Sequence, residues 1–355
     1  MKGYVARKGD RFLRGRLRRN RPRDRAGTAH LAHRRHRTRR RRTARSGAQR
    51  PQRRDRSLTL GAYLTRQWLP GKRVVLATST HAGYRRNIER QIVPALGRIG
   101  LRRLRPHPLE TLYDNLLRPG EGSVGLAPKT VYEIYLVIRG ALEDAVRRGL
   151  VTRNVALVAH APRLRAIPKI EQRSWTAEEL QVFLRAAAGH RLFAALWTAA
   201  FTGMRRNELL GLSWDDFDPA KATLSINRGL VAIGYELHET RGKTRNARRR
   251  IDLDPTTNAV LTAWRTWQTA EQHAIGVDPS SRMFTDGHGE TIHPHAISQT
   301  FERIARRADV SMIHLHDLRH THGTLLIAAG VPVKAVSERL GHARLTFTIE
   351  TYQHV

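Results

Sequence analysis

Six residues have types and surroundings that could do chemistry: Arg205, Lys243, His316, Arg319, His342 and Tyr352. Arg205 lies in the segment Thr202 to Glu208 (TGMRRNE), directly after an apolar run. Gly203 lets the backbone turn, and Arg205 then projects from the start of a new helix. A guanidinium at a helix N-terminus suits a phosphate, although an arginine after a turn is usually just exposed. Lys243 lies in RGKTR, residues 241–245, between two strand-like runs. A lysine there is ordinarily a solvated turn. In HDLRH, residues 316–320, helical spacing puts His316, Arg319 and His320 on one face. A zinc helix also carries His at i and i+4, but the glutamate that would follow the first His is missing, and Asp317 replaces it poorly. His293, His295, His314 and His322 lie nearby, yet histidines beside arginines call for a phosphate more than for a cation. The last segment is Leu340-Gly341-His342, followed after ten residues by Tyr352, itself ordinary filler if taken alone.

These residues need elements to position them. From Leu58 the pattern is globular, with helices predicted near 58–68, 80–93, 106–117 and 129–148. Tyr84, Ile88 and Ile92 share one face of the second. Thr130 and Glu133 have capping-box spacing, and Val131, Ile134, Tyr135, Ile138, Leu142, Ala145 and Val146 follow at helical spacing up to a stop at Gly149. Residues 161–174 (APRLRAIPKIEQRS) hold two prolines and four basic residues, which predicts a basic linker. A second capping box, Thr176 with Glu179, opens a helix through Ala188. Residues 191–201 predict a buried helix. Three short strands are expected at 222–226, 229–237 and 248–253. From about 256 the chain is mostly helical, with Gly341 ending a helix that begins near Pro332.

Composition narrows the partner. The 355 residues include no cysteine, which excludes disulfides and thiolate chemistry and fits a cytosolic compartment. No long uncharged apolar run predicts a membrane span. The net charge of +34 calls for an anionic polymer, since Lys and Arg release counterions from phosphates. Within 1–56, 21 Arg and 2 Lys face 3 Asp, a net +20, leaving +14 for the other 299 residues. That head has almost no large apolar side chains and is expected to be disordered. It reads equally as a DNA-holding tail, a solvated tail or an out-of-frame stretch beginning after Phe12.

Taken together, Thr-Gly-x-Arg, a hairpin Lys, His-x-x-Arg, Leu-Gly-His and a late Tyr resemble the tyrosine recombinase (phage integrase) family. The resemblance covers about residues 58–355, and its most specific box is LGHARLTFTIETYQHV. It implies a mainly α fold with a small antiparallel β-sheet. A helical core-binding domain (57–160) would be joined by the linker 161–174 to a mixed α/β catalytic domain (175–355), clamping duplex DNA. It also implies roles. Arg205 and Arg319 hold the non-bridging oxygens of the scissile phosphate, and Tyr352 is the nucleophile that forms a 3′-phosphotyrosyl link. Lys243 protonates the leaving 5′-oxygen, His316 takes the tyrosine proton, His342 hydrogen-bonds the phosphate, and Glu208 braces the arginines. No metal or cofactor is needed, because fixed cations meet the developing charge. The partners implied are double-stranded DNA and three further copies of the chain on synapsed DNA. Two alternatives share the residues: a type IB topoisomerase, and a DNA-binding remnant that no longer assembles. Two features differ from the family. An Arg-rich head stands where members carry a β-rich arm-binding module or nothing. The chain also ends three residues after Tyr352, where members commonly continue into a segment that docks on a neighbour.

Overall fold

Apolar side chains collect around two large centres, one built by residues before the predicted linker and one by residues after it, and around a small third one of Val336, Leu340 and Tyr352. The structure, a computed structural model, describes residues 58–118, 120, 124–161, 173–241, 248–342 and 344–352. The Arg-rich head, most of the linker and Lys243 lie outside the described residues.

The first centre is helical. Helix α1 (Leu60–Tyr63) passes through a π turn, Leu64–Trp68, into α2 (Leu69–Lys72). Helix α3 (Thr78–Asn87) passes through a second π turn, Ile88–Ile92, into α4 (Val93–Leu96). Ending these helices near 68 and 93 was therefore too early. Pro70 and Pro94 each follow a π turn by two residues. A proline lacks the N–H and crowds the carbonyl four residues back, and a wider turn just before it lets the helix continue. Helices α5 (Pro106–Leu117) and α6 (Pro128–Arg147) complete the layer. Of the α6 residues picked by periodicity, Val131, Ile134, Ile138, Leu142 and Ala145 are buried. Thr130 does not cap this helix. It starts two residues earlier with Pro128 at its first position, where the missing N–H costs nothing. Gly149, at φ 67°, ends it as expected.

The second centre opens with α7 (Ala177–Ala187), whose predicted capping box is present: Thr176 accepts from the Glu179 N–H and Glu179 accepts from the Thr176 N–H. Helix α8 (Phe193–Thr202) is buried along most of its length, and the short α9 (Arg206–Leu210) follows. Strands β1 (Phe217–Asp218), β2 (Thr223–Ile226) and β5 (Arg249–Asp252) form one antiparallel sheet, with Leu224 opposite Ile251. Strands β3 (Arg228–Ile233) and β4 (Glu236–Arg241) form a separate hairpin. The run expected as one strand, 229–237, is thus broken: Gly234, at φ 66°, turns the chain back on itself. Strands β4 and β5 lie in different sheets, and the segment between them that carries Lys243 falls outside the described residues.

Helices α10 (Pro255–Ala274), α11 (Pro294–Arg307), α12 (Asp317–Ala328), α13 (Val333–Leu340) and α14 (Leu345–Tyr352) complete the fold. The class is the one expected: mainly α with small antiparallel sheets. Among the described residues no helix is long and apolar enough to cross a membrane.

Candidate active site

Helix α8 ends at Gly203, which adopts φ 61°. A Cβ there would lie 2.6 Å from Leu340 Cδ2 and 2.7 Å from His322 Cδ2. Only glycine lets α12 and α13 close onto this turn. The turn then delivers two things. Its Gly203 carbonyl accepts a hydrogen bond from Arg319 Nη1 at 2.8 Å, and Arg205 caps α9 two residues later.

Glu208 organises the cations around this turn. Its Oε2 accepts from the Arg205 N–H at 2.8 Å and its Oε1 from Arg205 Nη1 at 2.7 Å. The same two oxygens accept from Arg249 Nη2 and Nη1 at 2.9 and 3.1 Å. Burial alone would push the Glu208 carboxyl up, but these arginines outweigh it and hold the group below the usual carboxylate range. The bracing role expected of Glu208 fits this geometry.

Arg319 is 3 % exposed, and its Nη2 is buried with no hydrogen-bond partner among the described residues. Burial, then the charges of Arg205 and Arg249, push it down to about 9, still charged at neutral pH. Three cations thus crowd one carboxylate. His316 caps α12, and burial followed by the charge of Arg319 lowers its pKa, which favours the neutral ring. His320 stands edge-on to it, with ring centroids 5.6 Å apart. His342 follows Gly341, which ends α13 at φ 68°, and its Nδ1 lies 2.7 Å from Thr348 Oγ1.

Tyr352 ends α14. Its ring lies 6.3 Å from that of His320 and packs against Gly323, where even a Cβ would collide with the phenol. It is 4 % exposed, and its Oη, like Arg319 Nη2, is buried without a partner among the described residues. Burial raises its pKa to about 12, against the pull of Arg319. Five of the six expected residues therefore meet in one place. The sixth, Lys243, lies outside the described residues.

Sequence reasoning passed over three members of this cluster. Arg249 faces inward, and strand alternation with buried Ile251 was the signal available. His320 was noticed only for its helical face. Arg339 ties α13 down by donating to the Phe201 and Asp252 carbonyls, both at 3.0 Å, and to His322 Nε2 at 3.1 Å. No local pattern marks it.

The buried histidines make folding acid-sensitive. Burial first, then neighbouring charges, hold His320 at about 4 and His322 and His342 at about 3. Each lies below the ordinary 6.5, so the unfolded chain binds protons that the folded chain refuses. Stability from this source is full above pH 6.5 and drains as pH falls toward 3. The urea midpoint is expected to drop clearly between about pH 7.5 and about pH 5. A midpoint unchanged over that interval contradicts the neutral, buried assignment.

Known proteins resemble this chain in sequence and in fold. Residues 174–355, just over half of the chain, match the phage integrase family. A tyrosine recombinase XerC-like protein of Caldanaerobacter subterraneus subsp. tengcongensis is 29% identical over 266 residues, covering 70% of this chain and 66% of that protein. The ICEBs1 integrase of Bacillus subtilis is 28% identical over 234 residues, covering 65% and 63%. The chain thus spans slightly less than two thirds of these two relatives. Among solved structures, the Tn1549 transposon integrase in complex with transposon right end DNA aligns with a TM-score of 0.69 at 18% identity, over 84% of this chain and 95% of that one. A lambda integrase tetramer bound to a Holliday junction aligns at 0.62 and 18% identity, over 82% and 80%. At such identities these two likenesses establish the fold. With the family matched across the whole segment that bears Arg205, Arg319, His342 and Tyr352, the chain belongs to the phage integrase family.

Proposed function

We propose that this chain is a site-specific DNA recombinase that cuts and rejoins duplex DNA of a mobile element through a covalent link at Tyr352. One observation carries this reading. Among the described residues, Arg319 Nη2 and Tyr352 Oη are both buried without partners, beside a cluster in which cations outnumber carboxylates. Buried polar atoms are rarely left unpaired. The species they lack is an anion, and a DNA phosphate supplies both the charge and the acceptor oxygens.

The steps follow from the side chains. Arg205 and Arg319 hold the two non-bridging oxygens of the scissile phosphate, to which guanidiniums are suited. His342 donates to the same phosphate. Tyr352 Oη attacks phosphorus while its proton passes to neutral His316. The bond to the 5′-oxygen breaks, and that oxygen takes a proton from Lys243. The products are a 3′-phosphotyrosyl bond and a 5′-hydroxyl, and the reverse attack by a 5′-hydroxyl reseals the strand. The bond energy is stored in the link, so no nucleotide hydrolysis is required. Fixed guanidiniums take the part a metal ion would play.

Residues 57–160 act as the core-binding domain in this reading, 161–174 as the basic crossing over the DNA backbone, and 175–355 as the catalytic domain. The head 1–56 adds phosphate contacts without base readout. A homotetramer on two synapsed duplexes in the cytoplasm is the working assembly, as the lambda integrase tetramer on a Holliday junction suggests.

The test is a set of nicked suicide duplexes built from the DNA flanking the gene, incubated with the chain in EDTA. A protein–DNA adduct that survives denaturant is expected. No adduct from any duplex, or one that appears only when zinc is restored, refutes the reading.

A further inference from the structure

Arg249 begins β5, with a side chain 8% exposed. All three of its nitrogens are engaged. Nη1 and Nη2 donate to the two oxygens of Glu208, and Nε donates to the Arg339 carbonyl at 2.7 Å. Arg205 mirrors this from the other side: Nη1 donates to Glu208, and Nη2 to the Gly341 carbonyl at 3.2 Å. Two guanidiniums therefore share one carboxylate, and each grips a backbone carbonyl, one on either side of Leu340. The segment so held leads directly into His342.

We propose that Arg249 is a positioning residue for DNA cleavage, which keeps Arg205 available to the scissile phosphate and fixes the turn that carries His342. The inference rests on the cleavage reading given above. Its physical basis is lone-pair accounting. A carboxylate offers about four acceptor sites. Here two go to Arg249 and two to Arg205, one of the latter to its backbone N–H. Arg205 thus spends only one side-chain donor on Glu208. Without Arg249, two lone pairs of a buried carboxylate fall vacant. Among the described residues the other cation bonded to that carboxylate is the Arg205 guanidinium, which would swing into a two-pronged pair with Glu208 and away from the phosphate. The Arg339 carbonyl would lose its donor in the same step, freeing the turn before His342. Arg249 touches neither substrate nor nucleophile in this scheme.

The experiment compares wild type, Arg249→Gln and the double variant Arg249→Gln with Glu208→Gln. Two quantities are measured: affinity for the duplex, and the single-turnover rate of adduct formation on the nicked duplex. Arg249→Gln should bind within about threefold of wild type, because phosphate contacts along the duplex are untouched. Its adduct rate should fall about 10–100-fold, by analogy with losing a partner that orients a metal ligand. In the double variant the vacant carboxylate is gone, so the rate should rise above that of Arg249→Gln. A merely structural role predicts the opposite, a further loss. A wild-type rate in Arg249→Gln, a parallel loss of affinity, or a slower double variant each overturns the proposal. If Arg249→Gln does not fold, Arg249→Lys keeps a charge beside Glu208 but cannot reach the Arg339 carbonyl as well. Slow cleavage with intact affinity then supports the proposal, and a rate near wild type overturns it. Failure of wild type itself to form an adduct is a separate result. It removes the cleavage reading, and this inference with it.

Discussion

Tyr352→Phe is expected to abolish the covalent protein–DNA adduct while the protein folds and binds duplex as before. Only the phenolic oxygen is lost. That oxygen makes no hydrogen bond among the described residues, so the fold loses no bond and sheds a buried, unpaired polar atom. The ring keeps its place against Gly323 and His320. Thermal stability should therefore stay level or rise slightly, unlike most core changes. Chemistry has no such substitute. Removing a covalent nucleophile costs on the order of 10⁶-fold where it has been measured. Nicked duplex, denaturing gels and a thermal melt suffice to check it. Any adduct from the Phe variant means another residue attacks the phosphate. A large loss of stability means Oη has a partner that the structure does not show.

The features legible in the sequence were those whose cause is local. Thr176 and Glu179 form their box because each satisfies a backbone N–H three residues from itself. Gly341 stops α13 because only glycine takes its φ cheaply. Where two local signals competed, the sequence alone could not rank them. Thr130 had the capping spacing, but Pro128 began the helix first. Gly234 sat inside an apolar run and turned it into a hairpin. Pro70 and Pro94 looked like stops and were absorbed by π turns. At the site, residue types with a known chemical use stood out, while their supports did not. Arg339 reaches partners 87 and 138 residues away in sequence. Arg249 has a neighbour of the same type on each side, and only the inward face of a strand separates it from them. Long-range hydrogen bonds of this kind leave no periodicity to read.

Arg319→Met should separate function from stability more sharply than any other change. On the reaction side, Arg319 supplies a preorganised donor to a charged oxygen. Losing one such donor costs about 10²–10³ in rate, or about 2.7–4 kcal/mol. On the folding side the sign reverses. Among the described residues the guanidinium, 3% exposed, makes one bond, to the Gly203 carbonyl, and leaves Nη2 unpaired. Breaking that bond costs about 1 kcal/mol. Against it stands relief from burying a charge that Arg205 and Arg249 repel. Replacing buried ions by apolar groups of similar volume is often neutral or stabilising by about 1–4 kcal/mol. Met fills nearly the same space with a flexible chain. The variant should therefore fold at least as stably as wild type while cleaving hundreds of times more slowly. A third readout is independent of both. The Arg319 charge helps to depress His316, His320 and His342. Removing it should move all three upward in an NMR titration, most clearly His316 and His342, where it is the largest cause after burial. Near-wild-type cleavage would remove Arg319 from the phosphate clamp. A stability loss well beyond one hydrogen bond would show that the charge is balanced by a partner outside the described residues, and that the cluster does not wait for an anion.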